Sequence, residues 1–224
     1  MADALTHDLW RLHLRGVNAY LVTDDVVTLV DAGTPWDADR LRAELADAGV
    51  AVGDVDRVLL THYDLDHVGT LAALTPDLDA TLYGGRFELE LLTGRRTPPW
   101  RNHKGALQRV FGPLIDRPAL EGTAIPDGGT IGTFTAFHTP GHTPGHVAYV
   151  SESLGVALLG DLVRASNGIL EPSGWVVSYD TNQVRESIDR LAAESPAFEV
   201  ACAGHGEPIT PDGDAALDAV AERQ

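Results

Sequence analysis

The stretch Thr61-His62-Tyr63-Asp64-Leu65-Asp66-His67 decides the fold. Four side chains able to bind a metal, His62, Asp64, Asp66 and His67, fall within it and follow directly on the apolar run Val55–Leu60. That run reads as a buried strand. In extended chain, residues 62, 64 and 66 point to one side. A turn into a following helix, predicted over Val68–Leu74, brings His67 round to join them. Taken alone, Asp66 reads as the N-cap of that helix.

Three further places repeat the arrangement. Thr139-Pro140-Gly141-His142-Thr143-Pro144-Gly145-His146 follows the predicted strand Thr133–His138. Leu158-Leu159-Gly160-Asp161 closes the strand Val156–Leu159, and Ala203-Gly204-His205-Gly206 closes the strand Val200–Ala203. His142, Asp161 and His205 each stand at the end of an apolar run beside glycine. A site along one edge of a buried sheet needs this pattern, because rigid strands aim the ligands and glycine lets loops pack close. Singly, each residue reads as a turn former or a loop histidine. Together, behind four strands, they point to a metal centre.

The rest of the chain reads as an α/β mixture. Alternation over Trp10–Arg15 predicts a half-buried strand ended by Gly16, with strands Val17–Thr23 and Val26–Asp31 around an Asp24-Asp25 turn. Thr34-Pro35 predicts a helix start, and Ala38, Leu41, Leu45 and Ala48 form one face of that helix before Gly49. A strand is expected over Ala80–Tyr83, a helix over Arg86–Leu92 and a strand over His146–Val150. Asn182–Ala193 is a helix with Val184, Ile188 and Leu191 inward, and Pro211–Gln224 a closing helix. Between Thr93 and Glu121 the periodicity fails. Gly94, Pro98, Pro99, Gly112, Pro113 and Pro118, with Trp100 and His103 among them, read as a loop-rich insertion over about 93–121, either a lid or a plain crossover. For 224 residues, a single domain over 1–224 is the expectation.

Charge excludes some partners. The net charge is −17, from 22 Asp and 11 Glu against 15 Arg and a single lysine, Lys104. The acids are scattered, and such a surface repels nucleic-acid phosphates and anionic membranes. A small-molecule substrate is expected instead. No apolar run approaches the ~18 residues of a membrane helix. Met1–Trp10 carries Asp3 and Asp8 and no basic stretch, so no secretory leader is expected and a cytoplasmic location is. Cys202 is the only cysteine, which excludes an internal disulfide, and it reads as a buried filler.

On these motifs the chain resembles the metallo-β-lactamase-fold superfamily of metallo-hydrolases, in its hydrolase or glyoxalase II-like branch. That family carries T-H-x-H-x-D-H, a later histidine in P-G-H-T, an aspartate after L-x-G-D and a histidine in G-H-G. Here these fall on His62, Asp66, His67, His142, Asp161 and His205. Asn18-Ala19-Tyr20-Leu21, Val30-Asp31-Ala32-Gly33 and Tyr179-Asp180 add minor matches, and the likeness runs from Gly16 to Pro208. It implies a four-layer αββα sandwich and two divalent metal ions, zinc by default. The first ion would be held by His62, position 64 and His142, and the second by Asp66, His67 and His205. Asp161 would bridge them with a water or hydroxide. The resemblance also implies attack by a metal-bound hydroxide on a small-molecule ester, thioester, lactone or related bond, with Asp66 shuttling the proton.

One position departs from the pattern: the family's second histidine is Asp64. Four imidazoles and three carboxylates around two divalent ions leave a formal +1, where histidine would leave +2. The lower charge weakens Lewis acidity, and the added carboxylate moves preference toward iron or manganese. Two alternatives follow: an iron-dependent redox enzyme of the sulfur dioxygenase or oxygen-reducing type, and a non-catalytic metal-binding protein. Asp64 either serves as an oxygen ligand or turns away and leaves the second site alone filled. Trp100, His103 and Tyr179 are candidate substrate contacts. His138 and His146 read as hydrogen-bonded loop residues, and His7 and His13 as solvated.

Excess aspartate with one lysine is the composition of a salt-adapted protein, or else of an acidic protein from a GC-rich genome. Salt adaptation predicts that thermal stability peaks in molar salt. A melting temperature that is highest in dilute buffer assigns the composition to the genome instead.

Overall fold

Apolar and β-branched runs near the N-terminus pair as expected. In the computed structural model, which describes residues 1–223, the chain is of the α/β class and divides into two units, residues 1–124 and residue 125 onward. The first unit is built on a seven-stranded sheet in sequence order. Strands β1 (Asp3–Ala4), β2 (Leu9–His13), β3 (Asn18–Thr23) and β4 (Val27–Val30) pair antiparallel. After α1 (Ala38–Asp47), strand β5 (Arg57–Leu59) joins β4 in parallel. Two single helical turns follow, α2 (Leu65–Val68) and α3 (Leu71–Leu74). Then come β6 (Thr81–Gly84), α4 (Arg86–Leu92), α5 (His103–Phe111) and β7 (Gly122–Ala124), with β6 parallel to both β5 and β7. Parallel pairing puts the carboxyl ends of β4 and β5 side by side, with Val30 opposite Leu59. The residues that follow them, Asp31 and Thr61 onward, therefore share one sheet edge.

Leu41 and Leu45 of α1 are buried with Leu12, Leu21, Leu29, Val58 and Leu82 in the core of this unit. Three local expectations change. The first helix begins at Ala38, not at Thr34, because the Asp37 carboxylate accepts from Thr34 N at 2.9 Å and closes the Thr34-Pro35 turn before the helix starts. The helix expected over Val68–Leu74 is two turns broken around Gly69. A Cβ there would lie 2.3 Å from Pro35 N, and Gly69 N is drawn to Gly33 O at 2.8 Å.

The third change lies in the insertion. Within 93–121 sits a helix, α5, whose N-cap Asn102 accepts from Lys104 N and Gly105 N. Its inward face is polar: Lys104, Gly105 and Gln108 are buried. Its apolar residues face out, with Leu107 44%, Val110 62% and Phe111 41% exposed. A periodicity search looks for the opposite pattern.

The second unit is built on a five-stranded sheet in the order β14-β11-β10-β9-β8. These are β8 (Thr130–Ile131), β9 (Phe134–His138), β10 (Val147–Ser151), β11 (Val156–Gly160) and β14 (Val200–Ala203). Between β11 and β14 run a hairpin, β12 (Val163–Ser166) with β13 (Ile169–Pro172), and the helix α6 (Thr181–Glu194); α7 (Gly213–Ala221) follows β14. The hairpin was not expected; its strands are short and mixed in polarity. Val184, Ile188 and Leu191 of α6 are buried with Ala148, Ala157, Leu159 and Leu217. Strands β11 and β14 are parallel and end together, with Gly160 opposite Ala203. Asp161 and the Gly204-His205 turn thus leave the sheet at the same edge.

One polar clamp ties this unit together. Arg190 of α6 grips both oxygens of Asp127, at 2.6 and 3.2 Å, and also donates to His138 O. Asp127 Oδ1 accepts from His138 N at 2.7 Å. The hydrogen bond from Arg190 holds the Asp127 carboxyl below its usual range and raises the guanidinium. A depressed folded-state pKa adds stability above the unfolded value, and that stability is lost as pH falls through the folded one. Because the pair is partly exposed, Arg190→Ala is expected to cost about 1 kcal/mol at neutral pH. The difference should shrink below about pH 4, as Asp127 takes up its proton. Urea denaturation of both forms at neutral and acid pH checks this.

Candidate metal centre

The first donor set is held by a carboxylate that is not itself a donor. Asp31 follows β4 in a left-handed conformation, φ 56°, and is buried. Its Oδ1 accepts from Thr61 N at 2.9 Å and its Oδ2 from the Thr61 hydroxyl at 2.7 Å. His67 Nδ1 lies 2.8 Å from the same Oδ2. A carboxylate only accepts, so His67 carries its proton on Nδ1. The Thr61 hydroxyl has spent its one proton on Asp31, so its 3.0 Å contact with His62 Nδ1 is donated by the ring. Both imidazoles therefore present a lone pair on Nε2. That is the form in which histidine binds a metal, with its other nitrogen oriented by an oxygen. The two rings are 4.1 Å apart between centroids, and both are fully buried.

Asp66 is half-buried on the first turn of α2, with a carboxylate oxygen within 4.8 Å of a His67 ring nitrogen. The N-cap of that turn is Asp64, not Asp66, and the Asp64 side chain makes no capping bond. It turns instead toward α5. Asp64 Oδ2 accepts from Lys104 Nζ at 2.5 Å and Oδ1 from Gln108 Nε2 at 2.8 Å. Gln108 Nε2 also donates to Tyr63 O at 2.7 Å, and buried Glu88 accepts from Tyr63 N at 2.8 Å. Asp64 Oδ2 stays 3.3 Å from His62 Nε2, so it keeps company with the donors while paired to lysine. Burial, and then the Asp64 charge, push the Tyr63 phenol upward.

The second unit presents two imidazoles around one carboxylate. Asp161 Oδ2 lies 3.6 Å from His142 Nε2 and 3.3 Å from His205 Nε2. His142 Nδ1 is hydrogen-bonded to Ser173 Oγ at 2.8 Å, which again leaves Nε2 as the metal-facing atom. Backbone bonds hold its loop: Tyr179 N to His142 O at 3.1 Å, and Asp180 N to Gly141 O at 2.9 Å. Gly141 is required here. Its φ is +133°, and a Cβ would lie 2.3 Å from Val184 N on α6. The His205 loop is pinned by the unexpected hairpin, through Ala165 N to His205 O at 2.9 Å.

His146 is a support, not a donor. Its Nε2 accepts from Asp161 N at 3.2 Å, so its proton is on Nδ1 and goes to Thr139 Oγ1 at 2.8 Å. His138 is likewise hydrogen-bonded, to Ile125 O at 2.9 Å. His13 contacts Asp3 at 2.6 Å. Of the candidate substrate contacts, Trp100 is 62% exposed beneath the Arg109 guanidinium, 5.0 Å from the ring centre. His103 is exposed on the first turn of α5, and Tyr179 acts through its backbone on the His142 loop. Sequence reasoning assigned no role to Glu88, Lys104, Gln108 or Ser173. Only Lys104 carried a signal, as the sole lysine in an acidic chain.

Comparisons with known proteins bear on the family and the fold. Residues 13–205 match the metallo-beta-lactamase superfamily, a span that draws on both units. The chain is similar to the probable metallo-hydrolase YqjP of Bacillus subtilis, 29% identical across 87% of this chain and 68% of that protein. It is similar in structure to the metallo-beta-lactamase family protein TTHA1429 of Thermus thermophilus, with a TM-score of 0.74, 26% identity, and 98% of this chain and 80% of that one covered. It also resembles TTHA1623, solved in a di-iron-bound form, with a TM-score of 0.68, 28% identity, and 90% and 93% covered.

Asp31 orients His67 through a charge as well as a hydrogen bond. Asp31→Asn keeps its size and removes the charge. Zinc affinity measured by chelator competition is expected to fall about 10–100-fold with the far-ultraviolet circular dichroism unchanged. Equal affinity would leave Asp31 the role of closing the Thr61 turn alone.

Proposed function

The chain belongs to the metallo-beta-lactamase superfamily, and from that membership we propose that it is a hydrolase of a small-molecule ester, thioester, lactone or related bond. The centre we assign takes two divalent metal ions, zinc in the first instance. On the family's motif pattern, His62, Asp64 and His142 would serve the first ion, Asp66, His67 and His205 the second, and Asp161 both. What carries this reading is the proton inventory of the motif. His62 and His67 both have Nδ1 committed to oxygen and Nε2 left as a lone-pair donor, beside carboxylates. Imidazole and carboxylate are the donor set of hydrolytic zinc and of iron, and the residues fit the group.

Bound there, a divalent metal supplies a water acidic enough to ionise near neutral pH and a Lewis acid for the scissile oxygen. The chain's own groups do the rest. Asp31 and Thr61 hold His67 and His62 in one tautomer, so no proton is lost to the rings when the donors are engaged. Ser173 and the Tyr179-Asp180 backbone hold His142, and His146 holds the backbone of Asp161. Asp66, half-buried on its helical turn, would be the carboxylate that accepts a proton from water and hands it on to the leaving group. The acidic surface favours neutral or cationic substrates over phosphodiesters.

A second reading is supported by Asp64 and by the di-iron form of TTHA1623. The added carboxylate makes iron a credible resident, and with it oxygen-dependent redox chemistry.

Metal content of protein purified without added metal separates the two. Zinc, together with turnover in an ester, thioester and lactone panel, supports the hydrolase. Iron, with turnover only under oxygen, supports the second reading. Asp66→Ala and His67→Ala are each expected to reduce turnover by at least about a thousandfold while the chain stays folded. Full activity in either variant removes the motif from the chemistry.

A further inference from the structure

We propose that Lys104 is a resident cation of the first metal position, so that this position takes its ion about tenfold or more weakly than the second. The inference rests on the metal-centre reading above and deepens it. Its ground is the pairing of Asp64 with α5. Both Asp64 oxygens are engaged there, Oδ2 by Lys104 Nζ at 2.5 Å and Oδ1 by Gln108 Nε2 at 2.8 Å. The two donors stand four residues apart, on one face of the helix. Lys104 is only 3% exposed, in a chain that otherwise uses arginine alone for its basic side chains. Lysine is almost never fully buried unless its charge is matched.

The geometry places the ammonium where a metal's charge would fall. Asp64 Oδ2 is the oxygen that also lies 3.3 Å from His62 Nε2. An ion held between His62 and Asp64 would share that oxygen with a buried ammonium, and like charges that close in low dielectric repel strongly. Charge balance favours the same outcome. The Lys104 ammonium already matches the Asp64 charge, so an ion added at this position would bring further positive charge into a buried, already neutralised pair. The second position carries no such burden, since His67 is braced by the Asp31 carboxylate. The outward apolar face of α5 fits this assignment: the helix is oriented by its polar residues, which its hydrophobic ones would not do.

Metal-stripped protein titrated with zinc in a calorimeter, with bound metal counted by mass spectrometry, tests the proposal. The wild type is expected to take one tight equivalent and a second at least about tenfold weaker. Lys104→Met, which keeps an unbranched chain and removes the charge, is expected to tighten the second step by at least about tenfold, and Lys104→Arg, which keeps the charge, to tighten it less than Lys104→Met does. Two equally tight steps in the wild type, or a second step unmoved by Lys104→Met, overturn the proposal and leave the metal centre standing. No zinc bound in any form overturns the centre and the proposal together.

A second measurement needs no substitution. With one lysine in the chain, ε-15N-lysine labelling gives a single side-chain signal. That signal should stay protected through the first zinc equivalent and shift with the second. A signal in fast exchange with water in the metal-free and one-zinc forms shows Lys104 unpaired and sinks the idea even if Lys104→Met fails to fold.

Discussion

The Asp31 carboxylate is the constraint on which the first half of the site depends. It leaves β4 in a left-handed turn and accepts from the Thr61 backbone, the Thr61 hydroxyl and the His67 ring. Parallel pairing of β4 with β5 is what puts these groups within reach. A buried carboxylate without partners would be costly, so the three bonds hold one another in place. Through Thr61 the same constraint reaches His62 and decides which of its nitrogens carries the proton.

The second unit solves the same problem with other groups. Ser173 orients His142, the hairpin backbone holds the His205 loop, and His146 supports Asp161 from behind. His146 is instructive because it resembles a ligand in sequence and is disqualified by its proton. Its Nε2 already accepts from Asp161 N, so no lone pair is left to give. Gly141 is small for a physical reason as well, since any side chain there would strike the first turn of α6.

Asp64 and α5 show how a departure from a family pattern can be compensated elsewhere in the chain. Replacing an imidazole by a carboxylate adds a negative charge to a buried site. The neutralising group comes from a helix forty residues later, which buries its only lysine and a glutamine and leaves its leucine, valine and phenylalanine outside. The polar contacts orient this helix, in the reverse of the usual amphipathic arrangement. With its apolar residues outward, this helix gave no core-facing periodicity by which to find it inside the loop-rich stretch 93–121.

The sequence by itself determined the class, the strands that end at the donors, the helices Arg86–Leu92 and Asn182–Ala193, and the donor residues as candidates. These are encoded locally, in apolar runs of strand or helix period and in dense His/Asp motifs. The start of α1, the break at Gly69, the β12–β13 hairpin and α5 were decided by contacts distant in sequence, such as Asp37 closing on Thr34 and Pro35 crowding Gly69. The same holds for the groups that tune the donors. Glu88, Gln108 and Ser173 belong to no motif, because hydrogen-bond partners across a fold are set by where strands and helices end, not by spacing along the chain. Which nitrogen of each histidine is a donor, and what neutralises Asp64, only the tertiary structure could decide.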